Sequence, residues 1–396
     1  MLEIINLNLY ETAGLAVVVL FLGMILKQKV SFLDKYCIPS PVVGGLLVAF
    51  INYVIYQFGF VFTTDRTLEK LCLVLFFTSV GVQIDFSLIK RSFSTFALLL
   101  VGIIVLIFAQ NILSLSLSSI FDLDKLMAFT ASSISMAGGT GISEQFGGFL
   151  EDMNLADGTN LSLSMCTLGV LVSALVGGPF GRFLILKYKL KPNSDKLFAE
   201  NIEDSNVTNS TFPANLAKAS FQIAFIIGIG AVCCEFLFQA GISVPYYIGA
   251  MLVAIILRNL SIKTGRYHFY TGELNYIGVL SLSFYLAMNF MGLAVWQFGL
   301  INILQLGIFM AQFILMLLFA FFMVYILTGR DYDAAVLSAS SIGFGIGGPS
   351  SSVATLMVLT GKYGPSFKSY LLFPIVGFML ADPINCIIIS YFMRMF

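Results

Sequence analysis

Charged residues are scarce in this sequence. Only 11% of its 396 residues are Asp, Glu, Lys or Arg, and 21 acidic and 21 basic side chains give a formal net charge of zero. Soluble domains carry about a quarter of their residues charged, so a chain surrounded by water on all sides is excluded. The single histidine, His268, and the six scattered cysteines lack the spacing of a metal site or of a disulfide framework.

Enzyme signatures are also few. The stretch GFGIGG from Gly343 fits the Gly-x-Gly-x-x-Gly pattern, but it lies among apolar residues and no acidic residue follows about twenty positions later. No phosphate-binding loop or zinc motif is present in the sequence. We therefore expect a protein that is not an enzyme, needs no organic cofactor and has no nucleic-acid partner.

Apolar residues, in contrast, make up 58% of the chain, and the mean hydropathy is +0.94. Apolar runs near or above the roughly 20 residues that cross a bilayer recur along the whole length. They are too long and too continuously apolar for barrel strands, which indicates an all-α integral membrane protein. We predict ten transmembrane helices and two interrupted segments. The predicted spans are residues 10–27, 40–58, 68–86, 93–119, 160–186, 216–239, 245–262, 273–294, 299–328 and 369–392.

The basic residues predict the orientation. With the N-terminus outside, every Lys and Arg falls on the inner side except Arg66, Lys70, Lys125 and Arg394, as the positive-inside rule requires. Both termini are therefore expected on the outer side of a multi-pass protein. The opening MLEIINLNLYET has no basic region or cleavage site, which predicts that the first helix is not a removable signal peptide.

Two similar stretches indicate an internal repeat. ASSISMAGGTGIS begins at Ala131 and ASSIGFGIGGPSS begins at Ala339, and the same spacing pairs Gly169 with Gly377. Four spans, an interrupted segment and a fifth span occur on each side of a polar stretch, so the second half is expected to be inverted relative to the first. We predict the first inverted repeat at 1–186, a cytoplasmic linker at 187–215 and the second repeat at 216–396. The interrupted segments are predicted to be re-entrant helical hairpins at about 126–152 and 333–362.

The glycine-rich hairpin tips are the candidate substrate site. Non-helical backbone is tolerated at membrane depth only where it is buried in protein or lines a polar cavity. Half-helix N-termini attract an anionic group and unwound carbonyls coordinate a cation, although glycines also serve close helix packing alone. The candidate substrate-binding residues are Ser135, Gly138, Gly139, Thr140, Gly141, Ser143, Gly343, Gly345, Gly347, Gly348, Ser350 and Ser351.

Asp382 indicates a cation site. A carboxylate near the centre of the last span is costly unless it is paired or coordinates an ion, and no Lys, Arg or His lies at a comparable depth. A bound cation or a proton is therefore expected, and serine hydroxyls of the hairpins are further oxygen ligands. The candidate Na⁺ ligands are Asp382, Asn385, Ser340, Ser341, Ser132 and Ser133.

Four stretches resemble the sodium/glutamate symporters of bacteria, in the same order from the first span to the last. They are SFLDKYCIPSPVVGGLLVAF, YDAAVLSASSIGFGIGG, GKYGPS and FPIVGFMLADPIN. The resemblance implies uptake of L-glutamate with Na⁺, hairpins that meet near the midplane, elevator-like movement of the hairpin-bearing domain, and a homodimer in the bacterial inner membrane. The residues that match the family's hairpin glycines and its polar pair in the last span are Gly138, Gly139, Gly141, Gly343, Gly345, Gly347, Asp382 and Asn385.

We therefore predict a secondary active transporter that couples inward Na⁺ flow to uptake of L-glutamate or a related acidic amino acid. A Na⁺-coupled di- or tricarboxylate carrier stays open as an alternative, because such carriers also have paired glycine-rich hairpins. A cation channel is the alternative from another class, because channels also use paired re-entrant loops.

Overall fold

The computed structural model describes residues 3–84, 93–192, 212–239 and 246–396, and these are almost entirely helical. Eight of the described helices are long and apolar enough to cross a membrane, which confirms a multi-pass helical membrane protein. The spans predicted at 40–58 and 68–86 correspond to helices of 17 residues each. The predicted linker at 187–215 lies mostly outside the described residues. The eight helices are Leu9–Lys29, Phe93–Phe121, Gly158–Lys187, Pro213–Leu237, Tyr246–Thr264, Thr271–Met291, Ile303–Ile326 and Lys368–Met393.

The described elements divide between the two halves of the chain. Those of the first half are β1 (Glu3–Asn6), α1 (Leu9–Lys29), α2 (Ser31–Lys35), α3 (Ser40–Tyr56), β2 (Phe60–Thr63), α4 (Thr67–Gln83), α5 (Phe93–Phe121), α6 (Lys125–Phe129), α7 (Gly139–Asp152) and α8 (Gly158–Lys187). Those of the second half are α9 (Phe212–Gln239), α10 (Tyr246–Thr264), α11 (Thr271–Met291), a 3₁₀ turn (Val295–Leu300), α12 (Ile303–Leu318), a π-helical stretch (Phe319–Ile326), α13 (Tyr332–Tyr363), α14 (Phe367–Phe373), a second π-helical stretch (Pro374–Leu380) and α15 (Ala381–Met393).

A two-stranded parallel sheet is the one sheet among the described residues. β1 pairs with β2 in a register that sets Glu3 opposite Phe60 and Asn6 opposite Thr63. The amide of Asn52 completes the edge of β2, since it exchanges hydrogen bonds of 2.9 and 3.0 Å with the backbone of Phe62. The sequence does not predict this sheet, because four-residue strands are too short to produce an alternating pattern.

The helices form two groups by their packing. α1, α3 and α4 pack with α9, α10 and α11, and we call these six helices the support group. α5 to α8 pack with α12 to α15, and we call these the hairpin group. The first three long helices of each half therefore lie in one group, and the helices that follow them in each half lie in the other.

Close helix packing within the hairpin group depends on glycines of α8. A Cβ added at Gly169, Gly177 or Gly181 would collide with atoms of α13. Small residues let membrane helices approach closely enough for van der Waals packing. These three glycines therefore fix α8 against α13, and they act through packing rather than through ligand binding.

An ion pair connects the two groups at α2. The Asp34 carboxylate accepts a hydrogen bond of 2.9 Å from Lys362, at the end of α13, and lies 3.7 Å from the Lys27 ammonium. The hydrogen bond from Lys362 is the largest cause that holds the pKa of Asp34 below its ordinary value. A lowered carboxyl pKa stabilises the fold above the ordinary carboxyl pKa of about 3.9, and this contribution is lost as the pH falls through the folded-state pKa.

Asp34→Asn is expected to lower the melting temperature slightly at pH 7. The Asp34 side chain is 57% exposed, so the pair contributes only about 0.2 to 1 kcal/mol. The difference from wild type is expected to disappear at a second, acidic pH below the lowered folded-state pKa of Asp34, where the native carboxylate is protonated too. Thermal denaturation in detergent at both pH values measures this, with the exposed Asp152→Asn as control. If the melting temperatures of Asp34→Asn and wild type differ equally at both pH values, the stabilisation by Asp34 is not electrostatic.

Candidate functional site

α13 is a 32-residue segment that turns back on itself at Gly348. The backbone of Gly348 has φ 72° and ψ −166°, a conformation that is essentially restricted to glycine. Ser352 Oγ donates a hydrogen bond of 2.7 Å to the carbonyl of Ser340, although a straight helix would separate these residues by about 18 Å. At the open end, the Tyr332 hydroxyl donates to the carbonyl of Gly364 at 2.5 Å. α13 is therefore a helical hairpin with Gly348 at its tip.

The segment between α5 and α8 is broken at the corresponding place. α6 ends at Phe129, residues 130–138 form successive turns, and α7 begins at Gly139. Gly139 has φ 64°, in the left-handed region that favours glycine. The chain therefore reaches the N-terminus of α7 through these turns and not through a continuous helix.

The two glycine-rich tips are in contact. A Cβ on Gly348 would lie 2.7 Å from the Cα of Gly139, and a Cβ on Gly139 would lie 3.3 Å from Cδ of Pro349. α7 and the second arm of α13 both begin at this contact, so the positive ends of two helix dipoles lie side by side. The arrangement favours a negatively charged group.

Most serine hydroxyls near the tips donate to backbone carbonyls. Ser143 Oγ donates to the carbonyl of Gly139 at 2.7 Å, Ser351 Oγ donates to that of Val170 at 3.3 Å, and Ser135 Oγ donates to that of Ser162 at 2.9 Å. All three serines are buried. In this conformation they stabilise the tips and keep only acceptor capacity for a ligand.

The other predicted tip residues differ in exposure. Thr140 is half-buried and Gly141 is exposed, and both follow Gly139 in the first turn of α7. Gly343, Gly345 and Gly347 are buried in the first arm of α13. The side chain of Ser350 lies outside the described residues. Thr140 and Gly141 are thus the predicted positions that solvent reaches most directly.

Ser133 and Asn385 are brought together. Ser133 Oγ donates to Asn385 Oδ1 at 2.7 Å, and the Asn385 amide donates back to the Ser133 carbonyl at 3.1 Å. Asn111 in α5 adds a hydrogen bond of 2.9 Å to Ser133 Oγ. All three residues are buried. Two of the candidate cation ligands therefore form one polar cluster between α5, the first broken segment and α15.

The other candidate serines are not part of this cluster. Ser341 Oγ donates to the carbonyl of Ser338 at 2.7 Å, and Ser132 Oγ accepts from the amide of Ile134 at 3.4 Å. Ser340 Oγ is buried and has no hydrogen-bond partner among the described residues. Within that part of the chain, no hydrogen bond joins these serines to Asp382.

Asp382 lies where the two helix groups meet. The Tyr247 hydroxyl of α10, in the support group, donates to Asp382 Oδ2 at 3.2 Å. The other carboxylate oxygen, Oδ1, is buried and unpartnered in the described structure. The sequence indicated a cation or a proton for Asp382 but did not identify Tyr247 as its neighbour.

Two buried glutamines form hydrogen bonds that join the two halves of the chain at the first broken segment and at α13. Gln110 in α5 donates a hydrogen bond of 2.6 Å to the carbonyl of Gly345, in the second hairpin. Gln312 in α12 donates at 3.2 Å to the carbonyl of Ala131, in the first broken segment, and at 2.8 Å to the carbonyl of Gln110. Both amides therefore form hydrogen bonds between helices. Each half therefore supplies the donor for the other half's tip region.

The similarity to known proteins is consistent over nearly the whole chain. The family profile described as sodium/glutamate symporter matches residues 5–365. The chain belongs to the sodium/glutamate symporter family. The sodium/glutamate symporter of Escherichia coli (strain K12) is 30% identical over 395 residues, 98% of each chain. That of Haemophilus influenzae is 28% identical over 388 residues, 96% of each chain.

A solved sodium proton antiporter from Methanocaldococcus jannaschii aligns over 97% of this chain and 96% of its own, with a TM-score of 0.40 and 13% identity. The resemblance to the family that the sequence indicated is confirmed by the profile and the curated relatives. As a member of the sodium/glutamate symporter family, the protein is a transporter and not an enzyme.

The described residues of this family member hold no cluster of three or more His, Cys, Asp or Glu side chains. The buried polar groups of the candidate cation site are hydroxyls, amides and backbone carbonyls, with the carboxylate of Asp382 where the two helix groups meet. Neutral oxygen ligands suit a hard cation such as Na⁺ better than they suit a transition metal.

Proposed function

We propose that this member of the family imports L-glutamate or a related acidic amino acid together with Na⁺ across the bacterial inner membrane. The observation that carries the proposal is the contact between Gly139 and Gly348. Two helix N-termini converge there, and their free N–H groups and dipoles favour a carboxylate. The residues proposed for the substrate are those of the two tips named above.

The cation would bind beside the substrate. Asp382 supplies the negative charge, Asn385 and Ser133 supply neutral oxygens, and Ser132, Ser340 and Ser341 are further candidates. Asp382 Oδ1 and Ser340 Oγ are buried and have no partner among the described residues, so both keep free acceptor capacity. An anionic substrate held by dipoles alone gains from a bound positive charge nearby, which couples Na⁺ to uptake.

The proposed topology has ten spans and two re-entrant hairpins in inverted repeats at 1–186 and 216–396, with both termini outside. At 17 residues, α3 and α4 would be about 25 Å long, at the short end of what crosses a bilayer. The hydrogen bond between Tyr332 and Gly364, which brings the two ends of α13 together, supports one hairpin. For the other, hydrogen bonds from Asn302 to Met127 and from Ser164 to the carbonyl of Gln297 support entry and exit at one side.

Transport would proceed by an elevator-like movement of the hairpin group against the support group, in a homodimer. The separation of the helices into these two groups supports such a movement, because each group packs mainly within itself. The hairpins and the last helix would move together, since Ser133 and Asn385 join them through buried hydrogen bonds.

An inward Na⁺ gradient is expected to drive accumulation of radiolabelled L-glutamate into proteoliposomes at least about tenfold over a Na⁺-free control, because the anion lacks its compensating cation without Na⁺. Unlabelled glutamate should compete, whereas citrate and 2-oxoglutarate should not. Na⁺-driven uptake of labelled citrate or 2-oxoglutarate, but not of glutamate, would favour the di- or tricarboxylate carrier. Single-channel steps without substrate would favour a cation channel.

A further inference from the structure

We propose that Tyr247 is a positioning residue that ties Asp382 to the support group, and that Na⁺ competes with its hydroxyl for the Asp382 carboxylate. The inference rests on the proposed function, since it requires Asp382 to take part in cation binding. It assigns a role to a residue of α10, outside the hairpins and outside the last helix.

The contact leaves the carboxylate incompletely satisfied. The Tyr247 hydroxyl lies 3.2 Å from Asp382 Oδ2, whereas a strong hydrogen bond from a hydroxyl to a carboxylate is about 2.5 to 2.7 Å. Oδ1 is buried without a partner in the described part of the chain. A buried carboxylate with one long hydrogen bond retains most of its affinity for a cation. Tyr247 therefore holds Asp382 without replacing the ion.

The two partners belong to different helix groups. The ring of Tyr247 packs against Phe77 of α4, with centroids 4.9 Å apart, so the support group holds the phenol. Asp382 lies in α15, and one turn later Asn385 bonds to Ser133 within the hairpin group. α15 therefore presents Asn385 to the hairpin group, to which it belongs, and Asp382 to the support group.

The contact between Tyr247 and Asp382 has no counterpart at the corresponding positions of the first half. At the spacing that pairs Ala131 with Ala339, Asp382 corresponds to Ala174, which is buried. Counting from the prolines of PVVGGLLVA and PYYIGAMLVA, Tyr247 corresponds to Val43. The corresponding positions of the first half therefore hold two apolar residues. The polar bridge therefore occurs in the second half alone.

The consequence concerns the cation-free carrier. Without Na⁺, the hydroxyl and the carboxylate attract each other across the boundary between the groups. A bound cation draws the carboxylate to itself and weakens that attraction. Any movement of the hairpin group against the support group breaks the Tyr247–Asp382 bond, so the bond slows the return of the empty carrier more than the movement of the loaded one.

The test is Tyr247→Phe, with the exposed neighbour Tyr246→Phe as matched control. Loss of one competing hydrogen bond should lower the Na⁺ concentration for half-maximal uptake by about 3- to 10-fold. The same shift is expected in the Na⁺ concentration that half-maximally raises the melting temperature in detergent. Net uptake should rise relative to glutamate exchange, because exchange does not require the empty carrier to return. Tyr246→Phe should match wild type.

An unchanged or increased half-maximal Na⁺ concentration in Tyr247→Phe would overturn the inference, as would an equal loss of net uptake and exchange. If Tyr247→Phe does not fold, Phe77→Leu loosens the ring and keeps the hydroxyl, and it should shift the same values in the same direction. A wild type that shows no response to Na⁺ in uptake or in melting temperature would overturn the proposed function itself. A wild type that responds, with variants that do not differ from it, overturns only the role of Tyr247.

Discussion

Asp382→Asn is expected to abolish the stimulation of uptake by Na⁺. The change keeps the shape of the side chain and its contact with Tyr247 but removes the negative charge that would bind the cation. Removing one member of a buried charge pair costs about 3 to 5 kcal/mol, which corresponds to a loss of at least about 100-fold in cation affinity. Uptake in proteoliposomes across a range of Na⁺ concentrations measures the loss.

The control for this prediction is another acid in a membrane helix. Glu235 lies on the exposed side of α9, in the support group, and Glu235→Gln should leave the Na⁺ dependence at the wild-type value. Both variants should have similar melting temperatures in detergent without Na⁺. Na⁺ stimulation of normal size in Asp382→Asn would remove Asp382 from the cation site and leave the neutral oxygens near Ser133 as its remaining candidates.

Gly348→Ala is the second change with a large expected effect, and it should reduce substrate affinity at least about tenfold. The backbone conformation at Gly348 costs about 1 to 3 kcal/mol for any other residue. The added methyl group would also lie 2.7 Å from the Cα of Gly139 and push the two tips apart. Uptake and glutamate-induced stabilisation against heat measure the change.

Gly361→Ala is the matched control for Gly348→Ala. Gly361 lies in the second arm of the same hairpin, and a Cβ there would meet no atom within 4 Å. Alanine also has the better helix propensity, so transport should be unchanged and stability equal or slightly higher. If Gly348→Ala transports as well as Gly361→Ala, the contact between the tips is not part of the substrate site.

The two broken segments were predictable because the serine and glycine stretch that marks each of them occurs twice in the sequence. These stretches give the positions of the breaks, whereas the prediction that both ends of each segment lie on one side of the membrane rests on the flanking charges and stays a prediction. The predicted second segment, 333–362, agrees closely with α13 (Tyr332–Tyr363). The predicted first segment, 126–152, covers α6, the turns and α7.

The roles of individual side chains were less predictable. A serine at a glycine-rich tip is a plausible ligand in sequence, but Ser143 and Ser351 donate to carbonyls whose positions depend on the fold. Tyr247 gives no signal of its own, because a tyrosine in an apolar run is common in membrane helices. The only sequence signal was the comparison of the halves, in which valine stands at the matching place.

The hydrogen bonds of the two glutamines have a consequence for biosynthesis. When the first half emerges from the ribosome, the carbonyl of Ala131 has no partner, because Gln312 has not yet been made. For the second hairpin the order of synthesis is reversed. Its donor, Gln110, has already been made when the carbonyl of Gly345 follows. An unpaired carbonyl at membrane depth is unfavourable. The first broken segment therefore reaches its final structure only after α12 has been made, and the two halves of the chain mature together.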